Sequence, residues 1–198
     1  METTSNKKGL QFLGGEIVLG TLIAVLSIFT GIASYQGAMA DSEQNKNEIA
    51  GMSALTDGNS EYLTANQFIV YDYTLFDSWA LDQDGERSAY YEANFSQELT
   101  DAMAANPDEP FSDAYYEAMY ASANEKFSEA DTAFAAAGAY DERGDALQLV
   151  MLITAIGLAF AAWASLLKEE SRMRLLFAGL AVLATVSGIL AYLMVPAA

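Results

Sequence analysis

The sequence contains no histidine and no cysteine. That removes the imidazole base, the thiol nucleophile, the disulfide, and the usual zinc and haem ligand sets. It leaves the redox compartment open. Basic residues are scarce, nine against 27 acids for a net charge of −18, which makes nucleic acid an unsuitable partner. No glycine-rich phosphate loop is present. The chain is therefore read as a non-enzyme, with no catalytic residue and no cofactor. Proline occurs three times and is absent from Met1 to Asn106, so nothing in that half of the chain forbids one long helix.

What the chain does contain is three apolar runs. Ile17 to Ala40, Ala146 to Leu167 and Leu175 to Ala198 hold 24, 22 and 24 residues without a charge, and about 20 suffice to cross the hydrocarbon layer as a helix. The runs lack the alternation of barrel strands, so they are expected to be helices. Ala38-Met39-Ala40 has the small-x-small form of a signal cleavage site. The first run exceeds a usual signal core, however, and is read as an uncleaved anchor.

The basic residues set an orientation. Lys7 and Lys8 precede the first run, and Lys168, Arg172 and Arg174 occupy the link 168–174 between the second and third. Counting positive charge toward the inside places both in the cytoplasm, with the C-terminus outside. Between the first two runs, 23 acids face only Lys46, Arg87, Lys126 and Arg143, a net charge of −19. The expected organisation is residues 1–36 as N-terminus and first span, 37–145 as an acidic outer domain, and 146–198 as a two-span hairpin. The fold class is an all-α membrane protein of three transmembrane helices, with an extracytoplasmic antiparallel helical bundle continuing from spans 1 and 2.

Within the acidic domain, Met52, Leu55, Asn59, Tyr62, Asn66, Ile69, Tyr73, Phe76 and Ala80 recur at steps of three and four, the seam of a coiled coil or helical hairpin. The first helix is expected to run on to about Leu81, where Asp82 to Glu86 reads as a turn. A second amphipathic stretch carries Tyr91, Phe95, Leu99 and Met103 on one face. After Pro107 and Pro110, Ser112 is a good N-cap, Asp113 suits the first turn, and Phe111 with Tyr116 has the spacing of a hydrophobic staple. Tyr116, Tyr120, Ala123, Phe127, Ala130, Phe134 and Ala137 then alternate at four and three. One helix over residues 112–167 would reach about 84 Å, with a kink expected at Gly138 or Gly144.

Interface candidates follow from these seams: Asn59, Tyr62, Asn66, Ile69, Tyr73, Phe76, Tyr116, Tyr120, Phe127 and Phe134. Aromatics at helical spacing serve either a core or a partner surface. Asparagine on a seam either fixes oligomeric register or is solvated. In the runs, Ser27 with Gly31, Gly157 with Ala161 and Ser165, and Ala184 with Gly188 follow the small-xxx-small spacing of close helix packing. Glu16, immediately before the first run, is the one acid that could sit inside the membrane. It sits at the interface, or inside the membrane with Arg172 or Arg174 as partner. Asp82, Asp84 and Glu86 begin like a calcium loop, but the sixth position is not glycine and the twelfth is Ala93, so no metal site is assigned. Diffuse cations are expected around the acidic domain.

The order of Ala33-Ser34-Tyr35-Gln36, Phe76-Asp77-Ser78-Trp79, the Pro107 to Phe111 element and a terminal hairpin resembles a group of small bacterial integral membrane proteins. The resemblance implies this architecture and a multi-pass place in the bacterial cytoplasmic membrane. It implies no activity and no site residue. Three functional classes remain. The first is a structural or accessory membrane protein that forms a homo-oligomer or joins a larger membrane complex through its outer domain. The others are an oligomeric cation channel with an acidic vestibule and an extracytoplasmic sensor.

Overall fold

The computed structural model describes residues 14–82 and 85–198. They form six helices: α1 (Glu16–Leu81), α2 (Ser88–Glu92), α3 (Gln97–Ala105), α4 (Asp113–Met119), α5 (Ala121–Leu166) and α6 (Arg172–Leu193). Lys7, Lys8, Gln83 and Asp84 lie outside the described residues. Three helices are long and apolar enough to cross a membrane: α1, α5 and α6. Only 17%, 28% and 17% of their most apolar windows are buried. Most of that apolar surface faces outward, as in a chain whose solvent there is lipid.

The chain divides into two compact units, residues 1–46 with 136–198, and residues 47–135. In the first, α1 buries one residue in seven, Leu19, Leu26, Ala33 and Ala40. Leu26 packs with Ala161 of α5 and Ala181 of α6, and Leu19 with Ala164 and Ala178. Helix backbones approach closely where side chains are small. A Cβ built on Gly157 would lie 2.8 Å from that of Ala184, and one on Gly188 would lie 2.7 Å from Thr154 Cγ2. These two small-residue patterns therefore join α5 to α6 within one chain, whereas Gly31 meets nothing within 4 Å.

Polar side chains in this unit find partners inside it. Thr30 donates to Thr154 Oγ1 at 2.8 Å, which itself donates to Val150 O at 2.9 Å. Tyr192 donates to Gln36 Oε1 at 3.0 Å, and Arg143 to Pro196 O at 2.7 Å. Helix α6 begins at Arg172, inside the expected link, with Ser171 as N-cap accepting from Met173 N. It ends at Leu193, short of the third run's end, because Pro196 disfavours helical backbone before it.

Arg174 corrects an expectation. It is buried to 4% exposure, and its guanidinium donates to Gly14 O and Leu167 O, both at 2.8 Å. A cation in the first turn opposes the helix dipole, and the two carbonyls offset that cost. It is thus not the partner of Glu16, which is exposed at the first residue of α1.

Gly138 and Gly144 do not interrupt α5. The break falls instead at Tyr120 (φ −93°, ψ 2°), with Tyr120 N on Tyr116 O at 3.0 Å and Asn124 N on Tyr120 O at 2.9 Å. Gly138 is exposed and a Cβ there would meet nothing within 4 Å. Gly138→Ala is therefore expected to stabilise the protein by about 0.5–1 kcal/mol through helix propensity and reduced unfolded-state entropy. Thermal unfolding of the detergent-solubilised protein measures it, and a loss of stability would contradict it.

In the second unit the buried stripe of α1 is again one residue in seven: Gly51, Gly58, Ala65 and Asp72. The glycines are filled from α5. A Cβ on Gly51 would lie 2.7 Å from the Phe134 ring, and one on Gly58 would lie 2.8 Å from Phe127. The expected seam through Met52, Leu55 and Asn59 is therefore displaced, and these three residues are exposed. Large side chains leave the contact because glycine and alanine let the helices come closer, so dispersion contacts form between backbones and the facing rings.

The expected stretch from Tyr91 to Met103 is two helices. Asn94 ends the first by donating to Tyr90 O at 2.7 Å, and Ser96 N-caps the second by accepting from Leu99 N at 3.0 Å. A serine that can cap competes with a helix running through it. Leu99 is fully buried and joins Ile69 and Tyr115 in the core, with Phe76, Phe95, Met103 and Phe111 against it. Ser112 stands at the N-cap of α4 without a side-chain cap bond, and the Phe111 ring lies edge-on to Tyr115 at 5.2 Å.

Candidate functional site

Two features of residues 47–135 bear on function: a buried carboxylate and an exposed apolar face, both on α1. Asp72 has no exposed surface. Its Oδ1 accepts from Ser96 N at 3.0 Å, and its Oδ2 accepts from Ser96 Oγ and from Tyr115 OH at 2.8 Å. Because Ser96 caps α3 and Tyr115 lies on α4, one carboxylate fixes both short helices on α1. A charge can be buried in this way because hydrogen bonds replace the water it loses. Burial, and then the bond to Asp72, push the Tyr115 hydroxyl well above the ordinary tyrosine range.

A ladder of tyrosines continues from this cluster. Tyr73 and Tyr116 share a hydrogen bond between their hydroxyls, and that bond first, then burial, pushes Tyr116 up to about 12. Tyr73 also stacks on Phe111 at 4.1 Å. Tyr120 donates to Asn66 Oδ1 at 2.9 Å and stacks on Tyr62 at 4.9 Å. Burial pushes Tyr120 up, followed by the charge of Tyr62. Asn66 thus fixes register between segments of one chain, and its amide donates to Tyr62 O at 2.8 Å. Among the described residues no buried side-chain nitrogen or oxygen lacks a partner.

The expected interface residues therefore separate. Ile69 and Phe76 belong to the core, with Tyr116 and Tyr120 packed at its edge. Phe127 and Phe134 fill the glycine positions of α1. Asn59, Tyr62 and Tyr73 are exposed. Beside them Ile49, Met52, Leu63 and Val70 are 70%, 64%, 62% and 66% exposed. These side chains open outward on a helix of an acidic unit and take no part in its core.

At the other candidates the chemistry is modest. Asp82 accepts from Arg87 N at 3.3 Å. Asp84 is outside the described residues, and among those described no three acids gather to hold a metal. Lys126 is raised by its hydrogen bond to Glu129 at 2.8 Å, an exposed pair that contributes little to stability.

Asp72 escaped the sequence reading because it was counted with the acidic coat. The available signal was the seven-residue repeat Gly51, Gly58, Ala65, Asp72, which puts a lone acid in register with the smallest residues of α1. No protein-family model matches the chain, and no curated protein or solved structure matches it either.

Proposed function

We propose that this chain is a structural or accessory integral membrane protein that acts by association, with itself or within a larger membrane complex, through its acidic helical unit. The observation that carries the reading is the open face of α1, where Ile49, Met52, Leu63 and Val70 are each more than 60% exposed. Residues 47–135 hold 18 acids and two bases, so apolar surface there has no lipid-facing reason of the kind that explains the spans. Positive charge at Lys7, Lys8, Lys168 and Arg172 supports an N-terminus and an α5–α6 link in the cytoplasm, with the acidic unit outside. The resemblance to small bacterial membrane proteins supports a bacterial cytoplasmic membrane as its location. No step of this role requires catalysis or a cofactor.

Native mass spectrometry of gently extracted membranes tests the reading. A homo-oligomer or a defined complex with other subunits is the expected result. A monomer over a wide concentration range ends it. Cation flux in liposomes that falls with Glu16→Gln would move the assignment to the channel.

A further inference from the structure

We infer that the partner of the exposed face is a second copy of this chain, paired in parallel and in register along α1. The inference rests on the associative role proposed above. The face is a heptad seam. Ile49, Met52, Thr56, Asn59, Leu63 and Val70 follow steps of three and four, with Asn66 completing the series between the last two. From Ile49 to Val70 the seam covers three heptads and is about 33 Å long. It lies on the side of α1 away from the buried stripe of Gly51, Gly58, Ala65 and Asp72, and all six of the named residues are exposed.

Charge identifies the occupant. In a unit with 18 acids and two bases, a basic partner would be recognised by acids, and a like-charged partner needs a surface cleared of them. The seam positions are uncharged. So are Ser53, Ser60 and Gln67 along one flank, while Asp57 and Glu61 lie off the seam. Such a strip suits the partner that carries the same −16 charge on this unit, which is the chain itself.

Direction and register follow from insertion. Two copies anchored by the same span and inserted the same way present α1 in the same direction and at the same height. Their seams are then parallel, and residue i meets residue i of the other copy, an isologous contact. Ile49, Thr56, Leu63 and Val70 share one heptad position, and three of the four are β-branched, a bias toward two parallel strands. Asn59 lies midway along the seam. In register it meets Asn59 of the other copy, and an amide both donates and accepts, so the pair is self-complementary. Three heptads make a short zipper. Confinement of both chains to one membrane raises their effective concentration and offsets that shortness.

The chain has no native cysteine, so single introduced cysteines report alone in the full-length protein in its membrane. Under mild oxidation, Met52→Cys and Leu63→Cys should each give disulfide-linked dimers of twice the chain mass, while Asp57→Cys and Thr64→Cys, off the seam, should not. Adding Asn59→Lys to Met52→Cys should lower the dimer yield by about tenfold, since it sets like charges face to face. Circular dichroism and tryptophan emission should be unchanged, showing that the fold is retained. Dimers linked through position 57 or 64 but not 52 or 63 would overturn the seam and leave self-association standing. Cross-links from position 52 to a chain of another mass would overturn the second copy as occupant. Absence of any adduct, with a monomer by native mass spectrometry, would overturn both the seam and the associative role.

Discussion

Asp72→Ala is expected to destabilise the acidic unit by about 3 kcal/mol or more. The carboxylate receives the Ser96 amide, the Ser96 hydroxyl and the Tyr115 hydroxyl, and it is fully enclosed. Alanine leaves these donors without an acceptor, each at about 1–3 kcal/mol, and it also releases the capped start of α3. Asp72→Asn keeps the volume and one acceptor for Ser96 N, and both hydroxyls can turn to accept from its amide, so a loss of about 1–2 kcal/mol is expected. Tyr115→Phe should fall in the same range, because Asp72 retains both Ser96 donors. Urea unfolding in detergent followed by Trp79 emission reads all three in a Trp163→Phe background. Trp79 stands edge-on to Phe95 at 6.2 Å, one residue before Ser96, so its emission follows the junction that Asp72 fixes. Equal losses for alanine and asparagine would show that the hydrogen bonds are not what holds the junction.

The second large effect belongs to the three apolar helices. Gly157→Ala adds a Cβ that would lie 2.8 Å from Ala184 Cβ, 3.3 Å from Leu26 Cδ2 and 3.4 Å from Leu26 Cδ1. Leucine can change rotamer, but an alanine Cβ has no freedom, so α5 and α6 must separate. Overpacking of this kind costs about 1–3 kcal/mol. Gly188→Ala meets Thr154 Cγ2 at 2.7 Å, which offers an internal check. Thr154→Ser removes that methyl and keeps the hydroxyl that Thr30 bonds, so the double variant should recover most of the loss. Gly31→Ala and Gly179→Ala, with nothing within 4 Å, should not destabilise, as at Gly138. Unfolding in mixed micelles titrated with denaturing detergent gives the comparison. Equal losses at Gly157 and Gly31 would mean that helix packing is not the cause.

Much of the secondary structure could be read from the residues. Charge-free length gives the three apolar helices, and the lack of proline before Pro107 lets α1 run unbroken to Leu81, where the sequence places its end. Local competition altered the rest. Ser96 prefers a cap to a helix interior and divides one expected helix into α2 and α3. Tyr120, tied to Asn66 and Tyr62, interrupts the helix expected from Ser112 where neither glycine nor proline stands. The glycines expected to kink α5 do not interrupt it, because helix hydrogen bonds tolerate glycine at a cost in propensity alone.

Sequence by itself determined that this protein is helical, that three helices can cross a membrane, and where its negative charge is concentrated. These properties depend on the composition of a segment, and a segment carries its composition with it. Tertiary structure alone decided which side of α1 is covered. Hydrophobic periodicity marks the faces rich in large apolar residues, and the sequence pattern therefore predicts a seam through Met52, Leu55 and Asn59. Helices that approach closely select the smallest residues instead, so Gly51, Gly58 and Ala65 take the contact and the larger side chains are left open. The same choice of face buries Asp72, an acid whose role is set by three donors far from it in sequence.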